Sequence, residues 1–167
     1  IAAKDIYLTV DKPLDDNGSS IGLYGYRGAW SLSRADATTT GISTTYISTG
    51  EVNFNQIGVI GNWTNSLVSL VGGLLVGTNT SPTGTATNNL GYYLEGDMAV
   101  TDAVALYSRF DNWDGDASVA NNETQQYVAG ISVEPLKAGR LAIEGQATKT
   151  GTAALTTKMI AELQYMY

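Results

Sequence analysis

The sequence predicts an all-β fold, an antiparallel up-and-down meander of about 8–10 strands, on three observations. Apolar residues recur with period two along most of the chain. Thr, Ser, Gly, Asn, Val, Ile and Tyr are spread throughout, and these types favour strands and turns over helices. Short connections alternate with longer ones, the layout of a meander with tight turns at one end and looser loops at the other. The 167 residues suit a single domain, residues 1–167, and no linker or composition shift divides them.

In chain order, residues 5–10 form a short and rather polar strand. Tyr24, Tyr26, Trp30 and Leu32 line one face of 21–33, with Arg27 on the other. A second weak strand is read at 42–48. Ile57, Val59 and Trp63 mark 54–63, and Val68, Leu70, Leu74 and Val76 mark 67–77. Five cleaner segments follow. Leu90, Tyr92, Leu94, Met98 and Val100 alternate with Tyr93, Glu95 and Asp97. Val104, Leu106 and Phe110 alternate with Tyr107, Arg109 and Asp111. Tyr127, Ala129, Ile131 and Val133 alternate with Gln126, Ser132 and Glu134. Leu141, Ile143 and Ala147 alternate with Arg140, Glu144 and Gln146. Met159, Ala161, Leu163, Tyr165 and Tyr167 alternate with Lys158, Glu162 and Gln164. Links near 64–65, 101–102 and 135–139 read as short, those at 78–89, 112–123 and 49–53 as longer, and 150–154 as short where a long loop is due.

Composition removes several functions. The chain has no Cys, which excludes disulfides, thiolate metal sites and Cys nucleophiles. It also has no His, which removes the commonest general base, the usual triads and most zinc and haem ligation. The reading is therefore not an enzyme, and no cofactor is expected. Sixteen acids against nine bases, a formal net charge of -7, argue against nucleic acid, which requires a basic stripe. No run approaches the ~18–20 apolar residues of a spanning helix, although spanning barrels give a weaker signal per segment. The start, Ile-Ala-Ala-Lys-Asp, lacks the layout of a secretory signal and reads as a processed or excised segment.

Alternation alone fits both a soluble sandwich, apolar inside, and an inverted barrel, apolar toward lipid. Strand length favours inversion. About 11 residues at ~3.3 Å, tilted ~40–45°, span roughly 25 Å, the height of an outer-membrane apolar band, whereas sandwich strands average ~5–6 residues. Aromatics near strand ends (Tyr24, Tyr26, Trp30, Trp63, Tyr92, Phe110, Trp113, Tyr127, Tyr165 and Tyr167) suit interfacial girdles. Arg27, Glu95, Asp97, Arg109, Glu134, Arg140, Glu144, Lys158 and Glu162 all fall opposite the apolar stripe, which would make them the lumen face.

The last segment, Met-Ile-Ala-Glu-Leu-Gln-Tyr-Met-Tyr at 159–167, resembles the C-terminal signature of Gram-negative outer-membrane barrels. The stretch 91–111 is similar to a porin hairpin, with a short turn between two strands and an Arg-x-Asp pair closing the second. The likeness covers roughly 90–167. It implies a mature small barrel or the C-terminal portion of a larger porin, located in the bacterial outer membrane. It also implies contact with lipid and lipopolysaccharide, and recognition of Leu163, Tyr165 and Tyr167 by the barrel-assembly machinery. Trimers of like chains are common in that family. An even strand count would place both termini on the periplasmic side.

Within the lumen face, Glu95 and Asp97 are expected to meet Arg109 and Asp111 if 91–100 pairs with 103–112, giving either a charge filter or a static ion-pair network. The acidic excess predicts a mild preference for cations. Asp111, Asp114 and Asp116 resemble a calcium-binding run but lack the spacing and distal Glu of an EF-hand loop, so a solvated acidic loop competes with a weak divalent site. Gly72, Gly73, Gly91 and Gly96 fit bends or close contacts on a curved sheet better than a nucleotide loop. Two functions follow. One is a passive pore or barrel scaffold. The alternative is an extracellular, cell-surface β-rich structural protein, a surface-layer or fibre subunit assembling by strand addition.

Overall fold

The computed structural model describes residues 5–31, 51–136 and 139–165. They form one antiparallel sheet of nine strands in sequence order: β1 (Ile6–Pro13), β2 (Ser20–Ser31), β3 (Glu51–Thr64), β4 (Val68–Thr80), β5 (Ala86–Thr101), β6 (Val104–Asp114), β7 (Thr124–Leu136), β8 (Gly139–Thr150) and β9 (Thr156–Tyr165). The all-β meander expected from the period-two pattern is therefore the fold. The weak strand at 5–10 is real and extends to Pro13. The expected strand at 42–48 lies outside the described residues, as do Leu32 and Tyr167.

Connections fall alternately at the two ends of the sheet, but their lengths do not alternate strictly. Residues 14–19, 65–67 and 102–103 join strands at one end, and 81–85, 115–123 and 151–155 join them at the other. The link read at 78–89 is shorter than expected. β4 continues through Thr78, Asn79 and Thr80, and β5 starts at Ala86, because the ladder pairs Thr78 with Asn88 and Thr80 with Ala86. Side-chain oxygens tighten the turns. Asn65 Oδ1 accepts from the amides of Leu67 and Val68, both at 2.8 Å, and Asp15 Oδ1 accepts from Asn17 N at 2.9 Å and Ser19 N at 3.0 Å. Gly18 and Gly84 take φ of 93° and 84° at these turns, a region that a side chain would strain.

The two faces differ in composition and exposure. On one stand Ile6, Leu8, Val10, Ile21, Leu23, Ile57, Trp63, Leu70, Leu74, Val76, Tyr92, Leu94, Met98, Leu106, Tyr127, Ile131, Leu141, Ile143, Met159 and Leu163, each exposed. The register keeps them on that face from strand to strand: Leu74 opposes Tyr92, Leu94 opposes Phe110, Leu106 opposes Ile131, and Leu141 opposes Leu163. The opposite face carries most of the carboxylates and includes two buried polar residues, Asn89, 3% exposed, and Ser132, 8% exposed. It is the inside of a curl, since a tyrosine of β6 bonds a carboxylate of β8 across β7, and β1 to β5 together wall one hollow.

Glycines aside, Ala142 is the one buried apolar residue among those described. A sandwich would bury its apolar stripes against a second layer. Here there is one sheet, and its apolar stripe faces outward. β1 and β9 are its edges, and they run in the same direction.

Candidate pore-facing site

The register that places Glu95 opposite Arg109 and Tyr93 opposite Asp111 builds the main charged cluster on the concave face. Arg109 Nε and Nη2 both donate to Asp111 Oδ1, each at 2.8 Å, and Nη1 lies 3.8 Å from Glu95 Oε2. Its guanidinium carbon stands 5.8 Å from the centre of the Tyr93 ring. The tight partner is thus Asp111, two positions along the same strand, and Glu95 is a looser one. Asp97 sits opposite Tyr107 on the same face and adds a further carboxylate. The pairing of 91–100 with 103–112 expected from the sequence is present, with a register shift at Ala99/Thr101 near the short turn.

A second network lies on β6 to β8. Tyr107 passes over Gly130 and donates its hydroxyl to Glu144 Oε2 at 3.0 Å. Gln146 Nε2 donates to Glu144 Oε1, and Gln126 Nε2 donates to Gln146 Oε1 at 3.3 Å. Beyond it, Lys158 pairs in register with Gln146, Glu162 with Ala142, and Arg140 with Gln164. Glu162 accepts from Gln164 Nε2 at 2.8 Å. Glu134 follows Val133 where the register of β7 and β8 shifts, and it is exposed. Both ion pairs found among the described residues belong to Arg109.

One expected lumen residue lies on the other side. Arg27 opposes Ile6 and Asn55, on the same face as Ile21 and Leu23. The sequence pattern misleads here because Tyr24 and Tyr26 look like the apolar stripe of this strand. In the fold their rings turn to the concave face, where small residues make room. Tyr24 lies across Gly58, and a Cβ at Gly73 would stand 2.6 Å from Tyr93 Cε1. Trp113, expected in a rim girdle, likewise faces inward over Gly91, whose added Cβ would meet its Cε3 at 2.7 Å. Tyr7, Phe54 and Tyr107 join this inner set. Three of these rings share one feature, a glycine across the ladder: Gly58 for Tyr24, Gly73 for Tyr93 and Gly130 for Tyr107.

The convex face keeps its own aromatic row. Tyr92, Phe110 and Tyr127 stack side by side toward the long-loop end, with ring centres 5.9 and 4.9 Å apart, and Trp63 lies toward the other end. Leu163 is exposed on this face, and Tyr165 is the last residue of β9.

Asp111, Asp114 and Asp116 do not converge. Asp111 is committed to Arg109, Asp114 accepts from Asp116 N at 3.0 Å, and Asp116 accepts from Ser118 N at 3.1 Å and its hydroxyl at 2.6 Å. Among the described residues no three acidic side chains are grouped as a metal site.

No protein-family model, curated protein or solved structure matches this chain.

Proposed function

We propose that this chain forms the wall, or part of the wall, of a bacterial outer-membrane β-barrel acting as a passive pore or barrel scaffold. One observation carries the reading. Most of the large apolar residues of the nine strands stand exposed on the outer face, while the inner face holds most of the carboxylates. In water such a sheet has no core to offset the chain entropy lost on folding, of the order of 1–2 kcal/mol per residue for the backbone alone. In hydrocarbon the same outer face is solvated by lipid and the ladder satisfies the amides.

The two edges set a condition on this reading. Lipid tolerates no open edge, so β1 and β9 take partners in the membrane. Because they run in the same direction, direct union would make a parallel seam. An antiparallel seam takes an odd number of further strands. The same open edges favour the second reading, a surface-layer or fibre subunit growing by strand addition.

As a pore wall the face carries more acid than base, and cations pass more readily than anions. Lipid and lipopolysaccharide surround the apolar band, and the end of β9 with Leu163 is the segment offered to the assembly machinery. Extraction separates the readings. A barrel requires detergent and migrates differently on gels before and after heating. Filaments recovered in plain buffer would contradict it.

A further inference from the structure

Aromatic rings and carboxylates share one half of the concave face. Tyr7, Thr9 and Asp11 of β1, Tyr24 of β2, Ile60 of β3, Gly73 of β4 and Tyr93 of β5 wall a hollow of about 410 Å³. Tyr7 and Tyr24 have ring centres 6.5 Å apart and tilted by 39°. The wall continues through Tyr26, 6.1 Å from Tyr7 and 4.9 Å from Phe54, and the Tyr26 hydroxyl donates to Asp5 Oδ2 at 2.9 Å. The charge is lopsided in the same sense. On the concave side of β1 to β6 stand Asp5, Asp11, Glu95, Asp97 and Asp111, with Arg109 as their single countercharge among the described residues. On β8 and β9, Arg140 and Lys158 balance Glu144 and Glu162.

Aromatic faces with carboxylates at the margin suit one ligand chemistry: a cation with an apolar coat, whose weak hydration makes leaving water cheap and whose charge is drawn to the ring quadrupoles. A neutral apolar solute gains nothing from the carboxylates. A small inorganic cation gains little from the rings, because it holds its water tightly. We propose that this hollow is a binding site for organic ammonium ions, with Tyr7, Tyr24 and Tyr93 as its ring walls and Asp11 as its anionic margin. The site deepens the pore reading, on which its physiological sense rests. Binding itself is a property of the folded face.

The test is calorimetry on the folded chain in non-ionic detergent, titrated with choline, with its neutral isostere 3,3-dimethyl-1-butanol, and with potassium. Choline is expected to bind at millimolar levels, with the isostere and potassium at least about tenfold weaker. Tyr24→Leu and Tyr93→Leu each weaken choline by about 3- to 30-fold, whereas Tyr24→Phe and Tyr93→Phe keep the ring and the affinity. Should a leucine variant fail to fold, Asp11→Asn on the exposed strand β1 supplies the second reading, with affinity lowered by about 2- to 5-fold. Equal binding of choline and its isostere overturns the proposal. So does unchanged affinity in the leucine variants or in Asp11→Asn, or no choline binding up to about 100 mM. A silent bilayer with intact choline binding sinks only the pore, and a conducting pore without choline binding sinks only this site.

Discussion

Tyr107 on β6 bonds Glu144 on β8 by passing over Gly130 on β7, so one side chain ties strands that are not neighbours. The backbone of β7 is bare at that point, and the phenol ring fills the space a Cβ would occupy. The tie lies on the concave face of the curled sheet. It braces β6 and β8 against each other across β7.

Gly130→Ala should therefore open the brace. The added methyl meets the Tyr107 ring on one side and Ile143 O at 2.8 Å on the other. A loss of about 1–3 kcal/mol is expected from overpacking, read by urea unfolding of the folded protein in detergent. Tyr107→Phe keeps the ring and loses only the bond to a carboxylate, with a loss of about 1.5–3 kcal/mol at most. Combining the two substitutions should cost less than the sum, because both act on one contact.

A lysine placed at Leu94 or Leu106, near the middle of the outer band, should destabilise the protein in bilayers by about 2–4 kcal/mol. Lysine at Val128, on the inner face, should cost clearly less. Unfolding in lipid vesicles makes the comparison.

Selectivity should follow the charged cluster. Arg109→Gln removes the countercharge to Glu95 and Asp111 and should raise cation over anion permeability. The double change Glu95→Gln with Asp97→Asn should lower it. Reversal potentials in asymmetric salt across a planar bilayer give both signs, and a salt gradient at high ionic strength should shrink each effect.

The β1–β2 turn should respond to acid. Hydrogen bonds from Ser19 hold the Asp15 carboxyl below its ordinary value of 3.8. A depressed folded value stabilises the turn above the unfolded pKa and loses that contribution as pH falls through the folded one. The Asn17 and Ser19 amide resonances should hold steady at neutral pH and move below about pH 4, and Asp15→Asn should abolish that titration.

How much of this was legible in the sequence depends on where glycine and tyrosine fall. From Leu90 onward, most strand positions alternate apolar with polar, so the faces of β5 to β9 and the grouping of Glu95, Asp97, Arg109 and Asp111 were largely legible from period two. In β2 the alternation runs Ile21, Leu23, Gly25, Arg27 against Gly22, Tyr24, Tyr26, Gly28. Both sets look apolar, and hydropathy chose the wrong one, taking Arg27 with it. Tyr24 belongs inside because its ring needs bare backbone beside it, which Gly58 supplies on the neighbouring strand, as Gly73 does for Tyr93. That relation joins residues far apart in sequence and cannot be read before the register is known. The same holds for the Tyr7–Tyr24–Tyr93 hollow, which draws on strands β1, β2 and β5.

Edge pairing admits its own check. In bilayers the amides of β1 and β9 should exchange slowly, like those of β5, once the seam has found its partner strands. Fast exchange along both edges in lipid would mean that the sheet stays open there.

The central claim concerns sidedness, and the absence of cysteine makes it directly measurable. Single cysteines at Leu94, Leu106, Ile131 and Leu163, and at Glu95, Arg109 and Glu144, can each carry a nitroxide in a lipid bilayer. The leucine and isoleucine positions should collide with dissolved oxygen and be shielded from a water-soluble nickel reagent. The three charged positions should show the reverse. Nickel access at the apolar positions, or oxygen-dominated relaxation at Glu95 and Arg109, would contradict a wall that faces lipid outside and solute within.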